Sequence, residues 1–355
     1  LRGESNLEEI TRSDRESCGR NGRQSRAEGD RRDVEPMIAF GPVPSRRLGR
    51  SLGINNIPPK ICTYSCAYCQ LGRTIKMQVE RRAFYEPEEV LNAVRNKVAR
   101  TREARESIDY LAFVPDGEPT LDVHLGQEIE LLRLLGLPIA VITNASLISR
   151  QAVREDLMEA DWVSLKVDAV EEKIWRRVSR PHGRLNLVSI LEGALEFARV
   201  YEGEFVTETM LVAGVNDSEG HLRAVADFVA RLQPSAAYVA IPTRPPAEAW
   251  VCAPDEVALN RAYQILSEGV GGVEYLIGYE GDAFAFTGDV EEDLLSITAV
   301  HPMREDAVST FLARAGAKWD AIRRLAAEGQ LIEAEYGGHT FYLRRLRRPI
   351  ADSAH

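Results

Sequence analysis

Apolar and polar positions along this chain follow two alternating periods. Short apolar runs occur at residues 51–57, 108–114, 138–143, 162–167, 205–212 and 236–241. Between them, residues 86–100, 124–135, 149–158, 186–201 and 217–232 place apolar side chains at helical spacing. Short apolar runs bounded by turn residues predict buried strands, and the longer 3.6-residue period predicts amphipathic helices. Six strands separated by helices form the pattern of a parallel α/β sheet with crossover connections.

Toward the C-terminus the pattern changes. Residues 305–314 and 319–328 are two short amphipathic stretches, followed by apolar runs at 331–336 and 339–344 around Gly337-Gly338. Two helices and a hairpin turned on two glycines predict a small winged-helix-like domain over residues 299–346. Such units bind nucleic acid, dock proteins or serve as structural appendages. The second helical stretch offers Lys318, Arg323 and Arg324, but Asp320 and Glu328 lie among them.

At the other end, residues 1–36 have no apolar core. Through residue 35 the segment holds eight arginines and nine acidic residues, which predicts a disordered charged tail and no signal peptide. The chain begins at Leu1, and Met37 stands immediately before the first patterned sequence, so whether the tail is native is left open. The hydrophobic fraction, 45%, is that of a globular protein, and no run of about 18 apolar residues predicts a membrane span. A formal net charge of −10 argues against indiscriminate nucleic-acid binding. Local basic groups remain at Arg46, Arg47 and Arg50, at Arg81 and Arg82, and at Arg344, Arg345, Arg347 and Arg348. Five cysteines in 355 residues predict reduced thiols and a cytoplasmic protein.

Three of those cysteines stand together in Lys60-Ile-Cys-Thr-Tyr-Ser-Cys-Ala-Tyr-Cys-Gln70. Thiolates are the soft ligands of iron–sulfur clusters. Cys62, Cys66 and Cys69 suffice for three irons of one cubane and leave the fourth open, and an open metal position marks a catalytic site. A structural zinc site wants a fourth ligand, yet the nearest histidine in sequence is His124, far outside the loop. A thioredoxin-like pair would use Cys66 and Cys69 and leave Cys62 unexplained.

The CxxxCxxC spacing, with Tyr68 just before the last cysteine, resembles the signature of the radical S-adenosylmethionine (radical SAM) superfamily. The resemblance implies a [4Fe-4S] cluster on Cys62, Cys66 and Cys69, with Tyr68 at the cofactor. It also implies that SAM chelates the open iron and is cleaved reductively to a 5′-deoxyadenosyl radical. The implied fold is a partial (β/α)6 TIM-type barrel over residues 37–290, with its chemistry at the C-terminal ends of the strands.

Pro115-Asp116-Gly117-Glu118-Pro119-Thr120 resembles the family's GGE-type turn, with Asp116 in place of the first glycine. The resemblance gives Gly117 and Glu118 the SAM amino group. Thr143-Asn144 is similar to the family's strand-three ending near the adenosine or the substrate. Ser164, Lys166 and Asp168 stand at every second position of strand four and therefore share a face. The family role of that strand is to hold the ribose and carboxylate of SAM; a buried Lys–Asp pair is the structural alternative. Strand five adds Glu208 between Thr207 and Thr209. The proline-rich residues 242–254 are either a linker or a loop folded over the barrel mouth.

Residues 40–54, with the cysteine loop and the Gly-Glu-Pro-Thr turn, look most like a branch of radical SAM iron–sulfur oxidoreductases related to the tRNA wyosine-synthesising enzymes. Only Cys18 and Cys252 remain outside the triad, too few for a second cubane. Members with auxiliary clusters are therefore poor matches. The implied activity is hydrogen-atom abstraction. Its substrate is RNA or another macromolecule delivered by the C-terminal unit, or else a small molecule or a partner enzyme to be activated. A reducing protein such as ferredoxin or flavodoxin is the implied electron donor.

Overall fold

The computed structural model describes residues 37–278 and 284–345. The expected charged tail, and Arg347 and Arg348, lie outside the described residues. Eight strands form one sheet curled into a half-barrel, consistent with a partial TIM-type core. In spatial order they are β1 (Ala39–Ser45), β2 (Gly49–Ile54), β5 (Tyr110–Phe113), β6 (Ile139–Thr143), β7 (Trp162–Lys166), β8 (Glu204–Met210), β9 (Ala236–Ala240) and β10 (Val273–Leu276). The two-residue strands β3 (Ile61–Cys62) and β4 (Lys76–Met77) pair with each other in the cysteine loop. From β2 to β10 all neighbouring pairs are parallel.

The six strands expected from the apolar runs are all present. Two more were not expected. β1 runs antiparallel to β2 with a register shift between Phe40 and Val43, which accommodates Pro42 in a sequence otherwise unsuited to a ladder. β10 is short and only half-buried, so its apolar run is weak.

Crossover helices cover the convex face: α1 (Pro87–Glu103), α2 (Leu125–Leu132), α3 (Gln151–Met158), α4 (Glu172–Val178), α5 (Leu187–Val200), α6 (Glu219–Leu232) and α7 (Glu256–Ser267). Strand positions facing them, including Leu52, Leu111, Phe113, Val141, Val163 and Val239, form the main core. Alternate positions face the concave side, where Ala112, Ala140, Trp162, Val206 and Tyr238 meet Leu48 from the β1–β2 turn. The barrel interior is therefore packed by this turn and is not an open pore.

The C-terminal unit contains α8 (Val290–Val300), β11 (Met303–Arg304), α9 (Glu305–Ala315), α10 (Asp320–Ala327), β12 (Leu331–Tyr336) and β13 (His339–Arg344). β13 lies between β11 and β12 in an antiparallel sheet. Gly337 and Gly338 turn the hairpin at φ values of +56° and +73°, a left-handed pair that glycine adopts at least cost. A second apolar core joins Leu294, Ile297, Phe311 and Leu325 of this unit to Phe40 and Val43 of β1. Helix α8 starts at the end of the expected core region and packs with the C-terminal unit, on whose side the shared core lies. A buried Lys97–Asp293 pair at 2.9 Å and Glu106, held between Arg50 and Arg314, tie the unit to the barrel.

Candidate functional site

The cysteine loop crosses the C-terminal ends of the barrel strands. Cys62, Cys66 and Cys69 are free thiols and half-buried. The loop's path is fixed by backbone donors: Ala67 N bonds to Val178 O at 2.8 Å, and His182 N bonds to Thr63 O at 2.9 Å. Tyr64 is clamped by Trp175, whose Nε1 donates to the phenol oxygen at 3.1 Å. Burial pushes the Cys62 thiol up to about 12, and Glu118 adds to the effect. Burial also pushes Cys66 well up, followed by the charges of Cys62, Asp168 and Cys69. The thiols lie close enough to oppose one another's ionisation, which binding to a cationic centre reverses. The donor set is sulfur alone, which suits iron–sulfur chemistry and not a hard ion. Among the described residues no three His, Cys, Asp or Glu side chains converge on a single-ion site. His124 is engaged elsewhere, with Nδ1 3.2 Å from Tyr85 O.

The turn after β5 packs directly beneath this loop. A Cβ on Gly117 would lie 1.8 Å from Ile61 O, so only glycine lets the two backbones approach. Lys60 N donates to Asp116 O at 2.7 Å, and Glu118 N donates to Ile61 O at 3.3 Å. Glu118 is fully buried, and both of its carboxylate oxygens are occupied. Oε1 accepts from Thr120 Oγ1 at 2.7 Å and Thr143 Oγ1 at 2.5 Å, and Oε2 accepts from Asn144 N at 2.8 Å. Burial raises its pKa, and these donors pull against the rise. Asn144 in turn reaches the loop: Nδ2 lies 2.9 Å from Thr63 Oγ1 and 3.5 Å from Cys62 Sγ. The Gly-Glu turn, the Thr143–Asn144 pair and the first cysteine thus form one hydrogen-bonded assembly.

Strand β7 brings up the second group. Trp162, Ser164 and Lys166 share the concave face by alternation, and Ser164 Oγ is buried there without a hydrogen-bond partner among the described residues. Lys166 Nζ bonds to Glu208 Oε1 at 2.7 Å, and Arg47 of the β1–β2 turn meets the other oxygen. Burial works to raise the Glu208 pKa, but Arg47 and Lys166 hold it down to about 2. Burial likewise opposes the charge of Lys166; Glu208 and then Asp168 outweigh it and raise the pKa. Lys166 Nζ also sits 5.0 Å from the centre of the Tyr68 ring, and the Tyr68 hydroxyl donates to Asp168. The aromatic residue of the cysteine motif is thereby fixed to the polar row of β7. Asn144, Lys166 and Asp168 line one cleft together with Tyr64 and Trp175.

Residues 56–226 match the Radical SAM superfamily. Over 312 residues the chain is 46% identical to a UPF0026 protein of Methanocaldococcus jannaschii, across 87% of this chain and 97% of that one. The chain belongs to the UPF0026 family and to the radical SAM superfamily. Solved structures similar to it include a radical SAM methyltransferase from Sphaerobacter thermophilus, at 18% identity over 64% of this chain and 67% of that one, TM-score 0.44. Another is TYW1 with a lysine-pyruvate adduct bound, at 16% identity over 62% of this chain and 74% of that one, TM-score 0.45. As a radical SAM protein the chain is an enzyme of that class, and the family implies a [4Fe-4S] cluster and SAM. Among the described residues no helix is long and apolar enough to cross a membrane.

Several residues that the sequence did not single out surround the mouth of this radical SAM core. The proline-rich segment folds over the cysteine loop: Glu248 N donates to Ala67 O at 3.1 Å, and the Glu248 carboxylate takes Arg73 at 2.7 Å and Arg180 at 2.5 Å. From the opposite side comes the C-terminal unit. Gln70, next to Cys69, donates to Val300 O at 2.9 Å and accepts from Arg244 Nη1 at 2.9 Å. Arg244 Nη2 meets the His301 ring at 2.9 Å, and Tyr336 OH donates to Pro242 O at 3.1 Å. The two members of each contact lie at least 57 residues apart, so no local pattern marks them.

Proposed function

We propose that this protein holds a [4Fe-4S] cluster on Cys62, Cys66 and Cys69 and cleaves SAM reductively to abstract a hydrogen atom from a small molecule or a partner protein. The bound cluster and SAM supply an electron and the resulting carbon radical; the remaining work belongs to the chain. The observation that carries this reading is a single loop bearing three free thiols that packs by Ile61 against the Gly117 turn and by Tyr68 against Asp168 and Lys166. Gly117 lets the loop sit low over the barrel. Glu118 spends its carboxylate on orienting Thr143 and Asn144, which makes it a positioning residue for the turn. Ser164, Lys166 and Asp168 present polar groups toward the ribose and carboxylate of SAM.

The C-terminal unit, which we read as winged-helix-like, supports a substrate that fits beneath it. Its contacts to Gln70, Arg244 and Pro242 bridge the mouth. Three of its basic residues are already engaged, Arg323 by Asp320, Arg324 by Glu291 and Arg304 by Asp306. RNA delivered along this unit is therefore the weaker substrate reading. Anaerobic reconstitution followed by chemical reduction tests the chemistry, with 5′-deoxyadenosine and methionine as the expected products. No SAM turnover by a fully loaded protein refutes it. Metabolites and modified nucleosides compared between a deletion strain and its parent separate the substrate classes; a missing nucleoside would restore the RNA reading.

A further inference from the structure

Two segments that meet at the cysteine loop carry positive charge and no acidic residue. Residues 173–184 hold Lys173, Arg176, Arg177, Arg180 and Arg184; residues 60–79, the loop itself, hold Lys60, Arg73 and Lys76. A chain whose formal net charge is −10 thus gathers cations where its three clustered thiols are.

Contacts join several of these residues into one surface. The buried Glu248 carboxylate takes both Arg73, whose side chain is 71% exposed, and Arg180, so one negative charge serves two cations. Two residues further on, Trp250 is 41% exposed, and the Arg177 guanidinium stands 5.8 Å from its ring centre. Arg177 makes no ion pair among the described residues. Arg176 and Arg184 are neutralised by Glu172 and Glu80. The surface is an exposed indole, three guanidinium groups and a single buried carboxylate among them.

One hydrogen bond separates the segments under this surface from the cluster loop. Ala67 follows Cys66; its N donates to Val178 O at 2.8 Å, and its O accepts from Glu248 N at 3.1 Å. Val178 adjoins Arg177, so whatever sits on Arg177 and Trp250 rests on the two segments that hold the loop. Positive charge here raises the encounter rate of an acidic partner, while the acidic remainder of the chain repels it from other approaches. Electron-transfer encounters are small and transient, which an exposed aromatic flanked by cations suits. The same charges attract RNA, but a substrate has to enter the barrel, whereas an electron can cross two packed segments.

We propose that Arg73, Arg177, Arg180 and Trp250 form the docking surface for an acidic one-electron donor protein. The inference rests on the reading of a cluster on Cys62, Cys66 and Cys69. One electron passes from the donor, which is oxidised, to the cluster, which is reduced, and no bond or proton moves. Arg73 and Arg177 steer the partner, and Trp250 supplies the apolar contact that holds it.

Calorimetry on the anaerobically reconstituted full chain tests it with oxidised flavodoxin, an acidic one-electron carrier, as the probe. Binding should weaken steeply as salt rises. Arg73→Gln combined with Arg177→Gln should weaken it roughly 10-fold at low salt, chiefly through slower association. Arg180 keeps Glu248 paired in that variant, so its iron and sulfide content and its reduction by dithionite, a small reductant, should match wild type. Stopped-flow reduction by reduced flavodoxin should slow by a similar factor. Trp250→Ala should weaken binding and keep the salt dependence of wild type. Arg95→Gln, exposed on α1, should change nothing. Equal flavodoxin affinity in wild type and both surface variants overturns the proposal, and so does an equal loss with Arg95→Gln, which would make the effect one of overall charge. If the double variant loses iron or dithionite reduction, Trp250→Ala decides, and unchanged affinity there overturns the docking. The surface is also reassigned, and the proposal overturned, if the double variant keeps its flavodoxin affinity but loses a single-stranded RNA that wild type binds, or splits a wild-type dimer. A wild type that dithionite cannot reduce removes the cluster reading and this surface with it. One that dithionite reduces and flavodoxin does not bind removes the surface alone.

Discussion

Replacing Gly117 by alanine probes the contact on which the site depends. The added Cβ would start 1.8 Å from Ile61 O, 2.7 Å from Ile57 Cδ1 and 2.9 Å from Ile61 C, whereas real Cβ contacts stay at or above 3.0 Å. The nearest atom is backbone, so no side-chain rotation relieves the clash; the cysteine loop itself must retreat. Retreat breaks the Lys60 N–Asp116 O bond of 2.7 Å and the Glu118 N–Ile61 O bond of 3.3 Å. Those two bonds are worth about 1 kcal/mol each. Overpacking a buried backbone contact adds about 1–3 kcal/mol. The expected total is roughly 3–5 kcal/mol, with a melting-temperature change of about 2–4 °C per kcal/mol for a barrel of this size. Iron and sulfide bound after anaerobic reconstitution should fall well below wild type, because Ile61 immediately precedes Cys62. Gly220→Ala is the matched control: nothing lies within 4 Å of its Cβ, and it sits in α6, so it should be neutral or stabilise by up to about 1 kcal/mol. A Gly117→Ala protein that melts like wild type and loads a full cluster would refute the reasoning.

Replacing Cys66 by alanine should abolish cluster binding altogether; unchanged iron and sulfide content in that variant would remove the triad from consideration. Glu208→Gln removes the carboxylate shared by the half-buried Arg47 and Lys166, leaves Lys166 only Asp168 nearby, and should cost about 3 kcal/mol by denaturant unfolding at neutral pH. Since Glu208 is held down to about 2 in the fold against an ordinary 4.5, its contribution is complete above the ordinary value and disappears as the pH falls through about 2. The stability gap between wild type and Glu208→Gln should therefore narrow on acidification, and a gap that widens would contradict the sign. Tyr68→Phe should leave the cluster bound but free Asp168 from its hydroxyl, weakening SAM binding; an unchanged affinity would mean that the Tyr68–Asp168 contact is only structural.

Much of this protein was written locally. The cysteine spacing, the glycine-containing turn after the second barrel strand and the polar row at Ser164, Lys166 and Asp168 follow from residues a few positions apart, because loop chelation and strand alternation are short-range geometry. The six barrel strands were legible for the same reason: buried parallel strands are near-continuous apolar runs. β1 was hidden because Pro42 and Pro44 break the strand signal, and it exists only through its pairing with β2 and the core it shares with the C-terminal unit. Tertiary structure alone decided that Glu118 uses its carboxylate internally, with Thr143 and Asn144 arriving from another strand. It also decided that Arg47 of the first turn reaches Glu208 and that Gln70 meets Val300. These partners lie from 25 to 230 residues apart, so their meeting depends on how the curled sheet and the C-terminal unit pack, a property that no local window of sequence contains.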